Sequence, residues 1–503
     1  MLLMGLDIGT TGCRASIFDE SGLEVCSAYR EYPLVCRKPA WAELEPEKVW
    51  KRLKEVIREA LEGAGDDVQS LSISAQGEAF LPISGDGEPL YNSIVTPDQR
   101  AQDETQFLER TFGRRFLFEK TGMVLFPIYT LNKILWIREN EPGIFDKTSK
   151  FLCWEDFVSF KLTGRAAIDH SLANRTLMFD IVKRQWSHEI LQQLDLSEDL
   201  LAEPIQAGDV VGEITFEASG ETGLRVGTPV VAGGHDQACG CLGAGVLDEG
   251  PLYDVTGTVE CLMPALPSPV LTDTMLRGGF GNYCHVVPSK YLILGYNMTA
   301  GTVLRWFRDN FAMDLIDRAR EEGKPVYSLF DQLAGSVPPG SEGLLLLPYF
   351  MGAATPNWDT HARGTLIGLT LAHGKAHVIR AIMEGITYEM RNNLLALQEA
   401  GIRADEIRAV GGGARSAFWC QLKSDVAHLP VVVPRVTEAS SLGAAMLAGI
   451  GCGVFKDFEN AVQMTYSRSM SFTPEPKEAY ERGFDLYRHL YSGVSDLYPH
   501  LLS

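Results

Sequence analysis

The chain begins with an apolar run that ends in an acid and a turn of small residues. Residues 2–12 read LLMGLDIGTTG, so Gly9, Thr10 and Thr11 follow Asp7 closely. Glycines let backbone N–H groups converge on an anion, threonine hydroxyls add donors, and a strand-end carboxylate can hold Mg²⁺ through water. Because ordinary hairpins also contain Asp-x-Gly, one such turn is a weak indication of a phosphate site.

A second turn of this kind lies in the other half of the chain. Residues 252–259 read LYDVTGTV, in which Thr256, Gly257 and Thr258 follow another apolar strand. Two such turns in opposite halves predict a nucleotide held between two related domains. Asp254 is either a second acid on the Mg²⁺ side or a turn former at the strand end, and we favour the turn role.

The bulk composition predicts an ordinary globular protein of two large domains. A chain of 503 residues exceeds what one core usually fills, and it is 45% hydrophobic and 22% charged. Its net charge of −20 argues against a general nucleic-acid binder. Asp7 interrupts the N-terminal apolar run, which favours a core strand over a signal peptide, and no apolar run is long enough for a membrane span.

The ten cysteines are scattered through the chain. The close pair Cys239 and Cys241 has no cysteine or histidine partners at the spacing typical of zinc sites. Reduced thiols in a cytoplasmic protein are therefore the expectation.

Strand and helix patterns alternate, which places the chain in the α/β class. The predicted elements are strands at 14–19, 24–29 and 71–75, an amphipathic helix that begins at Glu45-Pro46-Glu47, and helices at 130–139 and 154–162.

The domain boundary is predicted near residues 246–251, VLDEGP, which have the composition of a linker. The first domain would then comprise residues 1–248 and the second residues 249–503.

Two glycine-rich segments follow predicted strands, VVAGGHDQ at 230–237 and VGGGARS at 410–416. Neither is a Walker A loop or a dinucleotide-binding Gly-x-Gly-x-x-Gly motif. A triple glycine before a helix lets a flat ring or a ribose lie against bare backbone, although it also suits a tight strand-to-helix connection. Residues 442–449, LGAAMLAG, predict a helix that can pack closely against neighbouring backbone.

GTLIGL at 364–369 and HVIRAIME at 377–384 fit, at every position, the C-terminal signature of the FGGY family of carbohydrate kinases, which the chain therefore resembles. KILWI at 133–137, with Glu139 and Asn140, fits most of the N-terminal signature, and Ile128 departs from its usual first residue. The resemblance implies the two-domain actin–hexokinase–heat-shock ATPase (ribonuclease H-like) fold, with the active site in the interdomain cleft.

The resemblance also implies transfer of the ATP γ-phosphoryl group to a sugar or polyol hydroxyl. A carboxylate must accept the proton of that hydroxyl as the new bond forms. Asp236 matches the family's catalytic aspartate, although an acid at this position could simply cap a helix.

The remaining site residues are carried over from the family motifs. Asp7 matches the Mg²⁺-linked acid. The nucleotide contacts implied are those of the first phosphate turn (Thr10 and Thr11), the second phosphate turn (Thr256, Gly257 and Thr258) and an adenosine wall (Gly411, Gly412, Ala414 and Ser416), where many relatives carry asparagine in place of Ser416. The acceptor contacts implied are Gln76, Glu78, Asp98, Arg100, Asp236 and Gln237.

For Asp98 and Arg100 the alternative is a local surface ion pair. Lys133 and Trp136 on one helix face are more typical of packing than of ligand contact.

Several functions compatible with these motifs stay open. The first is an ATP- and Mg²⁺-dependent kinase for a pentulose or a related sugar or polyol, and the second a kinase for a sugar acid, a tetritol or a linear signalling ketose. An idle sugar- and nucleotide-binding regulator would not need Asp7 and Asp236 together with both threonine turns. A chaperone-like ATPase would need a peptide-binding domain after the ATPase core. Dimers are common in the family, so a homodimer is one option.

Glycerol is expected to be a poor acceptor. Glycerol-using members of the family carry an arginine where this chain has Gly77 and a tyrosine where it has Ile128, and Thr96 replaces the aromatic residue that usually begins the Trp-x-Asp-x-Arg pattern. The glycine is expected to leave room for a larger acceptor.

Overall fold

Two twisted sheets, one in each half of the chain, form the centre of the molecule. The computed structural model describes residues 1–64 and 67–502. Its strands are β1 (Leu2–Ile8), β2 (Gly12–Asp19), β3 (Glu24–Glu31), β4 (Glu43–Leu44), β5 (Val68–Ala75), β6 (Phe80–Ile83), β7 (Ser93–Ile94), β8 (Lys150–Cys153), β9 (Ala167–Asp169), β10 (Phe179–Asp180), β11 (Gln185–Trp186), β12 (Glu203–Ile205), β13 (Val210–Glu213), β14 (Pro229–His235), β15 (Gly250–Thr256), β16 (Glu260–Leu266), β17 (Gly281–Cys284), β18 (Tyr291–Asn297), β19 (Leu345–Leu347), β20 (Thr365–Ile367), β21 (Ala404–Val410), β22 (Val431–Pro434) and β23 (Arg468–Phe472).

Helices cover the faces of both sheets. They are α1 (Pro46–Ala64), α2 (Gln102–Phe112), α3 (Arg114–Thr121), α4 (Thr130–Asn140), α5 (Pro142–Phe145), α6 (Trp154–Thr163), α7 (His170–Asn174), α8 (His188–Gln193), α9 (Phe216–Thr222), α10 (Asp236–Gly243), α11 (Asp273–Gly278), α12 (Gly301–Phe311), α13 (Met313–Glu322), α14 (Val326–Ser336), α15 (Lys375–Glu399), α16 (Ala417–Ala427), α17 (Ala439–Gly451), α18 (Phe458–Thr465) and α19 (Glu478–Val494).

The two sheets repeat one arrangement. The first has the order β13-β14-β5-β1-β2-β3, and the second has the order β17-β18-β16-β15-β21-β22-β23. In the first, β1 pairs antiparallel with β2 and parallel with β5. In the second, β15 pairs antiparallel with β16 and parallel with β21. The predicted α/β class and the repetition of the strand-turn-strand theme are confirmed, and each predicted phosphate turn joins the antiparallel pair of its sheet.

The first sheet is apolar on both faces because helices cover both. Leu3, Met4, Leu6 and Ile8 of β1 are all buried. The predicted amphipathic face of α1 is buried as well, and α1 packs against β2 and β3.

The other face of the first sheet is covered by α17, which comes from the far end of the chain and packs on β1, β5 and β14. Small residues make this contact close: a Cβ on Gly5 would lie 2.0 Å from the carbonyl oxygen of Ser441. Helix α17 also crosses α10, where a Cβ on Gly443 would lie 1.9 Å from the carbonyl oxygen of Cys239. The predicted boundary between residues 248 and 249 stays a prediction, and α17 ties the two halves together across it.

Among the residues that the structure describes, no helix combines the length and the apolar character that a membrane span requires. All ten cysteines lie in this part of the chain, and each is a free thiol.

Candidate active site

Asp7 lies at the end of β1, where its carboxylate is half-buried. Its Oδ1 accepts a hydrogen bond from Ser74 Oγ on the neighbouring strand, at 2.7 Å. Burial raises the pKa of Asp7 to about 6, with the hydrogen bond from Ser74 and the charge of Arg14 acting in the opposite direction. A carboxylate of this kind gains from a bound cation, because a positive charge offsets the cost of its desolvation.

The first phosphate turn follows Asp7 directly. Gly9 N donates to the carbonyl of Gly12 at 2.9 Å, which closes the turn. Thr10 Oγ1 donates to Gln76 Oε1, and Gln76 Nε2 donates to the carbonyl of Gly9, both at 3.0 Å. Thr11 is exposed at the tip. Gln76 is buried, and both polar atoms of its amide are bonded to the turn. It therefore fastens the turn and, contrary to the prediction, does not present a free amide to an acceptor.

The second phosphate turn is held by the start of helix α12. Gly301 N donates to the carbonyl of Gly257 at 3.0 Å, and Ala300 N donates to that of Thr258 at 3.1 Å. Gly257 and Thr258 are exposed. The tip of this turn is thus fixed in place while its outer side remains accessible to a ligand.

Thr256 and Asp254 belong to a buried ion network beneath that turn. Lys423 Nζ donates to Asp254 Oδ2 at 2.5 Å, to Thr256 Oγ1 at 2.5 Å and to Glu260 Oε1 at 2.7 Å. Asp254, Glu260 and Lys423 are buried. Asp254 pairs with Lys423 and also accepts a hydrogen bond from Thr256 Oγ1 at 3.2 Å, so it is bonded to the turn, and its role toward Mg²⁺ or the turn stays a prediction. The predicted phosphate donor Thr256 has its hydroxyl inside the network, because the cation of Lys423 needs several oxygen partners when desolvated.

The predicted adenosine wall packs against the second turn. Gly411 has a φ of +78°, and a Cβ on it would lie 2.9 Å from the carbonyl oxygen of Thr256. Gly412 is exposed, whereas Ala414 is buried. The triple glycine therefore permits a close backbone contact between the two segments.

Ser416 caps helix α16. Its Oγ accepts a hydrogen bond from Trp419 N at 3.0 Å and donates to Asp331 Oδ1 at 2.8 Å. The single donor of this hydroxyl is used within the protein, so it could meet adenine only as an acceptor, and the contact of Ser416 with adenine stays a prediction.

Asp236 is the first residue of α10 and follows β14 directly. The strand end is fixed by Gly233 N, which donates to Glu155 Oε1 at 2.8 Å, and by His235 N, which donates to Ser171 Oγ at 2.9 Å. Ser440 Oγ of α17 donates to the carbonyl of Asp236 at 2.9 Å. The backbone that carries this carboxylate is therefore held from both halves of the chain.

The electrostatic surroundings of Asp236 suit a proton acceptor. Its side chain is 27% exposed. Burial by its neighbours, followed by the charge of Asp7, raises the pKa of Asp236 to about 7, and Arg175 and hydrogen bonds from Gln237 act in the opposite direction. A carboxylate with a pKa near the working pH combines a sizeable deprotonated fraction with adequate basicity.

Three side chains interact with Asp236 directly or through their charge: His235, Gln237 and Arg175. His235 Nε2 lies 3.2 Å from Asp236 Oδ1, and burial lowers the pKa of His235 well below its usual value, so the ring is neutral. Gln237 bonds to Asp236, and its Oε1 is buried without a hydrogen-bond partner among the described residues. Arg175 pairs with the carboxylate of Glu78, which also accepts from Thr96 Oγ1 at 3.0 Å.

Gly77 lies in the same region, against the ring of His235. A Cβ on Gly77 would lie 2.8 Å from His235 Nε2 and 3.4 Å from Arg175 Nε. A side chain at this position would therefore displace His235, and the expectation that the glycine leaves room for a larger acceptor stays a prediction.

Asp98 and Arg100 form a buried pair. Arg100 Nη2 lies 2.7 Å from Asp98 Oδ2 and 2.8 Å from Glu43 Oε1, and these side chains are at most 1% exposed. The guanidinium lies 3.8 Å from the ring centre of Trp41 and 4.9 Å from that of Trp136. Neither the predicted acceptor contact nor a surface ion pair is what the structure shows, since the pair has no surface left for a ligand.

The Asp98 loop instead supports the turn at residues 76–78. Lys133 Nζ donates to the carbonyl of Val95 at 3.0 Å. The next residue, Thr96, donates from Oγ1 to the carbonyl of Gly77 at 2.7 Å. Lys133 and Trp136 therefore pack under the site, as predicted for this helix face.

Arg175, His235 and Lys423 were not predicted as site residues. His235 directly precedes Asp236, so its position in the chain was an available signal. Arg175 is 97 residues from its partner Glu78 in the sequence, and Lys423 is 169 residues from its partner Asp254. No local sequence pattern marks either residue as part of the site.

Glu438 links the two halves near Asp7. It lies 3.5 Å from Arg14 of β2 and 4.0 Å from Arg415 beside the adenosine wall, and its charge acts on Asp7. The repeated strand arrangement of the two sheets, with a glycine-containing turn at the antiparallel pair of each, agrees with the two-domain actin-like ATPase fold that the motifs imply.

Comparison with known proteins identifies the family. The pattern of the FGGY family of carbohydrate kinases, N-terminal domain, matches residues 2–243, and that of the C-terminal domain matches residues 252–452. The chain belongs to the FGGY family of carbohydrate kinases and is a sugar kinase.

Its relatives differ in their named substrates. The chain is 30% identical to the xylulose kinase of Bacillus subtilis (strain 168) over 98% of this chain and 97% of that protein. It is also 30% identical to the gluconokinase of the same strain, over 92% of this chain and 90% of that protein. The solved structure of the xylulose kinase from Lactobacillus acidophilus is 26% identical to this chain in sequence and matches its fold with a TM-score of 0.90. The match covers 99% of each chain.

Proposed function

We propose that this kinase transfers the γ-phosphoryl group of ATP to a hydroxyl of a pentulose-like ketose, with Asp236 as general base. The observation that carries the proposal is the carboxylate of Asp236, which is partly exposed and has a pKa raised to about 7. In the reaction, the acceptor hydroxyl loses its proton to Asp236 while its oxygen bonds to the γ-phosphorus and ADP leaves.

The residues around both turns fit a nucleotide and its cation. Asp7 offers a carboxylate for Mg²⁺, the exposed residues Thr11, Gly257 and Thr258 offer donors to phosphate oxygens, and Gly411 and Gly412 offer bare backbone to the adenosine. When bound, Mg²⁺ would neutralise charge on the phosphates. Ser440, Glu155 and Ser171 hold Asp236 in place for the proton transfer.

The acceptor assignment draws on the relatives. Proteins named xylulose kinase are similar to this chain over nearly its whole length, which supports a pentulose. A sugar acid, a tetritol or a linear signalling ketose would use the same chemistry at the same base. The particular acceptor, a cytoplasmic location and a homodimer remain predictions.

An acceptor panel tests the proposal. ADP release with ATP and Mg²⁺ is measured for D-xylulose, L-ribulose, erythritol, gluconate and glycerol under one condition. We expect a larger ketose or polyol to give the highest kcat/KM and glycerol a low value. Glycerol matching every larger acceptor would contradict this assignment.

The same panel distinguishes a catalytically idle protein. If folded protein binds ATP in calorimetry but releases no ADP with any acceptor, the chain is a sugar- and nucleotide-binding regulator. A variant with Asp236→Asn serves as the baseline for background ATP hydrolysis.

A further inference from the structure

Arg175 is a buried cation that the proposed chemistry does not yet use. It directly follows helix α7 and is 6% exposed. Its guanidinium pairs with Glu78 and lies between two tyrosine rings, 5.6 Å from the centre of Tyr129 and 5.3 Å from that of Tyr283. These contacts fix the direction of the side chain.

One nitrogen of this guanidinium has no acceptor. Arg175 Nε is buried and makes no hydrogen bond within residues 1–64 and 67–502. A buried charged donor without a partner is costly, so such groups usually mark a missing ligand or water. An arginine donor that stays unsatisfied in the free protein is available to a ligand.

The unsatisfied nitrogen belongs to a side chain whose charge acts on the candidate base Asp236. A Cβ built on Gly77 would lie 3.4 Å from Arg175 Nε and 2.8 Å from His235 Nε2. His235 Nε2 in turn lies 3.2 Å from Asp236 Oδ1. Arg175, His235 and Asp236 thus follow one another along the edge of the turn that carries Glu78.

We propose that Arg175 is a specificity-determining residue whose Nε–H donates a hydrogen bond to an oxygen of a neutral polyhydroxy acceptor. This inference rests on the proposed function. It adds Arg175 as a residue that recognises the acceptor, and it specifies that the acceptor is uncharged. The oxygen bound by Arg175 belongs to the carbon chain of the acceptor beyond the hydroxyl that loses its proton to Asp236.

The charges at the site favour a neutral acceptor over a sugar acid. The positive charge of Arg175 is already balanced by Glu78. Asp236 and Asp7 add negative charge nearby, and Asp7 raises the pKa of Asp236. Arg175 Nε is an unpartnered donor and Gln237 Oε1 an unpartnered acceptor among the described residues. A polyhydroxy compound can both accept and donate, whereas a carboxylate can only accept and would be repelled by the acids.

The first test replaces Arg175 by glutamine or lysine and measures KM and kcat for D-xylulose, erythritol and gluconate. Loss of a charged donor that contacts the acceptor is expected to raise KM about 10- to 100-fold for neutral acceptors, with a smaller change in kcat and in the KM for ATP. Arg184→Gln is the matched control, since Arg184 donates to the carbonyl of Lys290 at 3.1 Å and stacks on Tyr291 away from the site. An unchanged KM in folded Arg175 variants overturns the proposal.

A second comparison separates recognition from simple neutralisation of Glu78. Arg175→Gln is repeated in a Glu78→Gln background, where no buried carboxylate is left unpaired and folding is protected. If Arg175 binds the acceptor, the double variant has a KM about 10-fold or more above that of Glu78→Gln alone. Equal KM values would show that Arg175 only balances Glu78 and would overturn the proposal.

The outcomes for the two proposals differ. No turnover by the unmodified protein with any acceptor sinks the proposed function, whereas turnover that prefers gluconate to every neutral acceptor overturns the inference about Arg175 and leaves the kinase activity intact. Calorimetry of D-xylulose binding to the unmodified protein and to Arg175→Lys gives the same comparison without turnover.

Discussion

At the scale of single residues, Asp236 is the side chain on which turnover depends most. Asp236→Asn retains the shape of the side chain but cannot take the hydroxyl proton. We expect kcat to fall ~10²–10⁴-fold, while binding of ATP and of the acceptor measured by calorimetry stays near normal.

The exposed Asp248, which pairs with Lys290, supplies the control variant Asp248→Asn, with expected kcat unchanged. Near-normal turnover of Asp236→Asn, under conditions where chemistry limits the rate, would mean that another group is the base.

The pH dependence of turnover follows from the same residue. Burial and Asp7 raise the pKa of Asp236 to about 7, and only the deprotonated form accepts a proton. Below pH 7, kcat/KM should therefore fall by about tenfold per pH unit, because the deprotonated fraction falls in that proportion. The profile is measured with subsaturating acceptor, and an acid limb centred near pH 4, the ordinary range of an aspartate, would contradict the raised pKa.

Sequence motifs located the carboxylates of the site but not their partners. Asp7 and Asp236 each end an apolar strand, which is a local pattern. Lys423 and Arg175 bind acids that are distant in sequence, and only the folded sheets bring them together. The same reason explains why Asp98 and Thr256 were assigned to ligands: their protein partners, including Glu43 and Lys423, were not visible locally.

At the scale of the elements, the ion network under the second turn is expected to stabilise β15 and β16. Lys423→Met removes the cation and leaves Asp254 and Glu260 buried together. Breaking a buried ion pair on one side costs about 3–5 kcal/mol, and urea unfolding should show a loss of this size in the free energy of unfolding.

Lys456→Met is the control for this variant, because Lys456 is 87% exposed and its change should be within about 0.5 kcal/mol. A Lys423→Met protein as stable as the parent would show that the network does not contribute to stability.

The crossing of α10 and α17 is expected to tolerate no added carbon. Gly443→Ala would place a Cβ 1.9 Å from the carbonyl oxygen of Cys239, so the helices must separate. Overpacking of this kind costs about 1–3 kcal/mol, and it should also lower kcat because Asp236 begins α10.

Gly220, in helix α9, has no atom within 4 Å of an added Cβ. Gly220→Ala should therefore leave the protein as stable or more stable by about 0.4–1 kcal/mol. If Gly443→Ala and Gly220→Ala melt at the same temperature, close packing at the helix crossing is not the reason for a glycine at position 443.

The periodic elements could be predicted and their packing partners could not. The apolar face of α1 and the small residues of α17 are both evident in the sequence, and both elements formed. The position of α17 on the first sheet depends on the close fit of Ser441 against Gly5. No local sequence pattern specifies that contact.

At the scale of the whole molecule, joint binding of nucleotide and acceptor should bring the halves closer. The predicted nucleotide contacts come from both sheets, and closure keeps water from the γ-phosphate. Small-angle scattering should give a smaller radius of gyration with a non-hydrolysable ATP analogue and acceptor together than with either alone. A radius that does not change at saturating concentrations of both ligands argues against closure.

The position of α17 also has a consequence for biosynthesis. Strand β1 leaves the ribosome long before the helix that covers one face of its sheet, because that helix comprises residues 439–451. The nascent N-terminal half must therefore wait, with apolar surface uncovered, through most of translation. Premature stop codons or proteolysis that remove only the last seventy residues would accordingly unfold the opposite end of the protein.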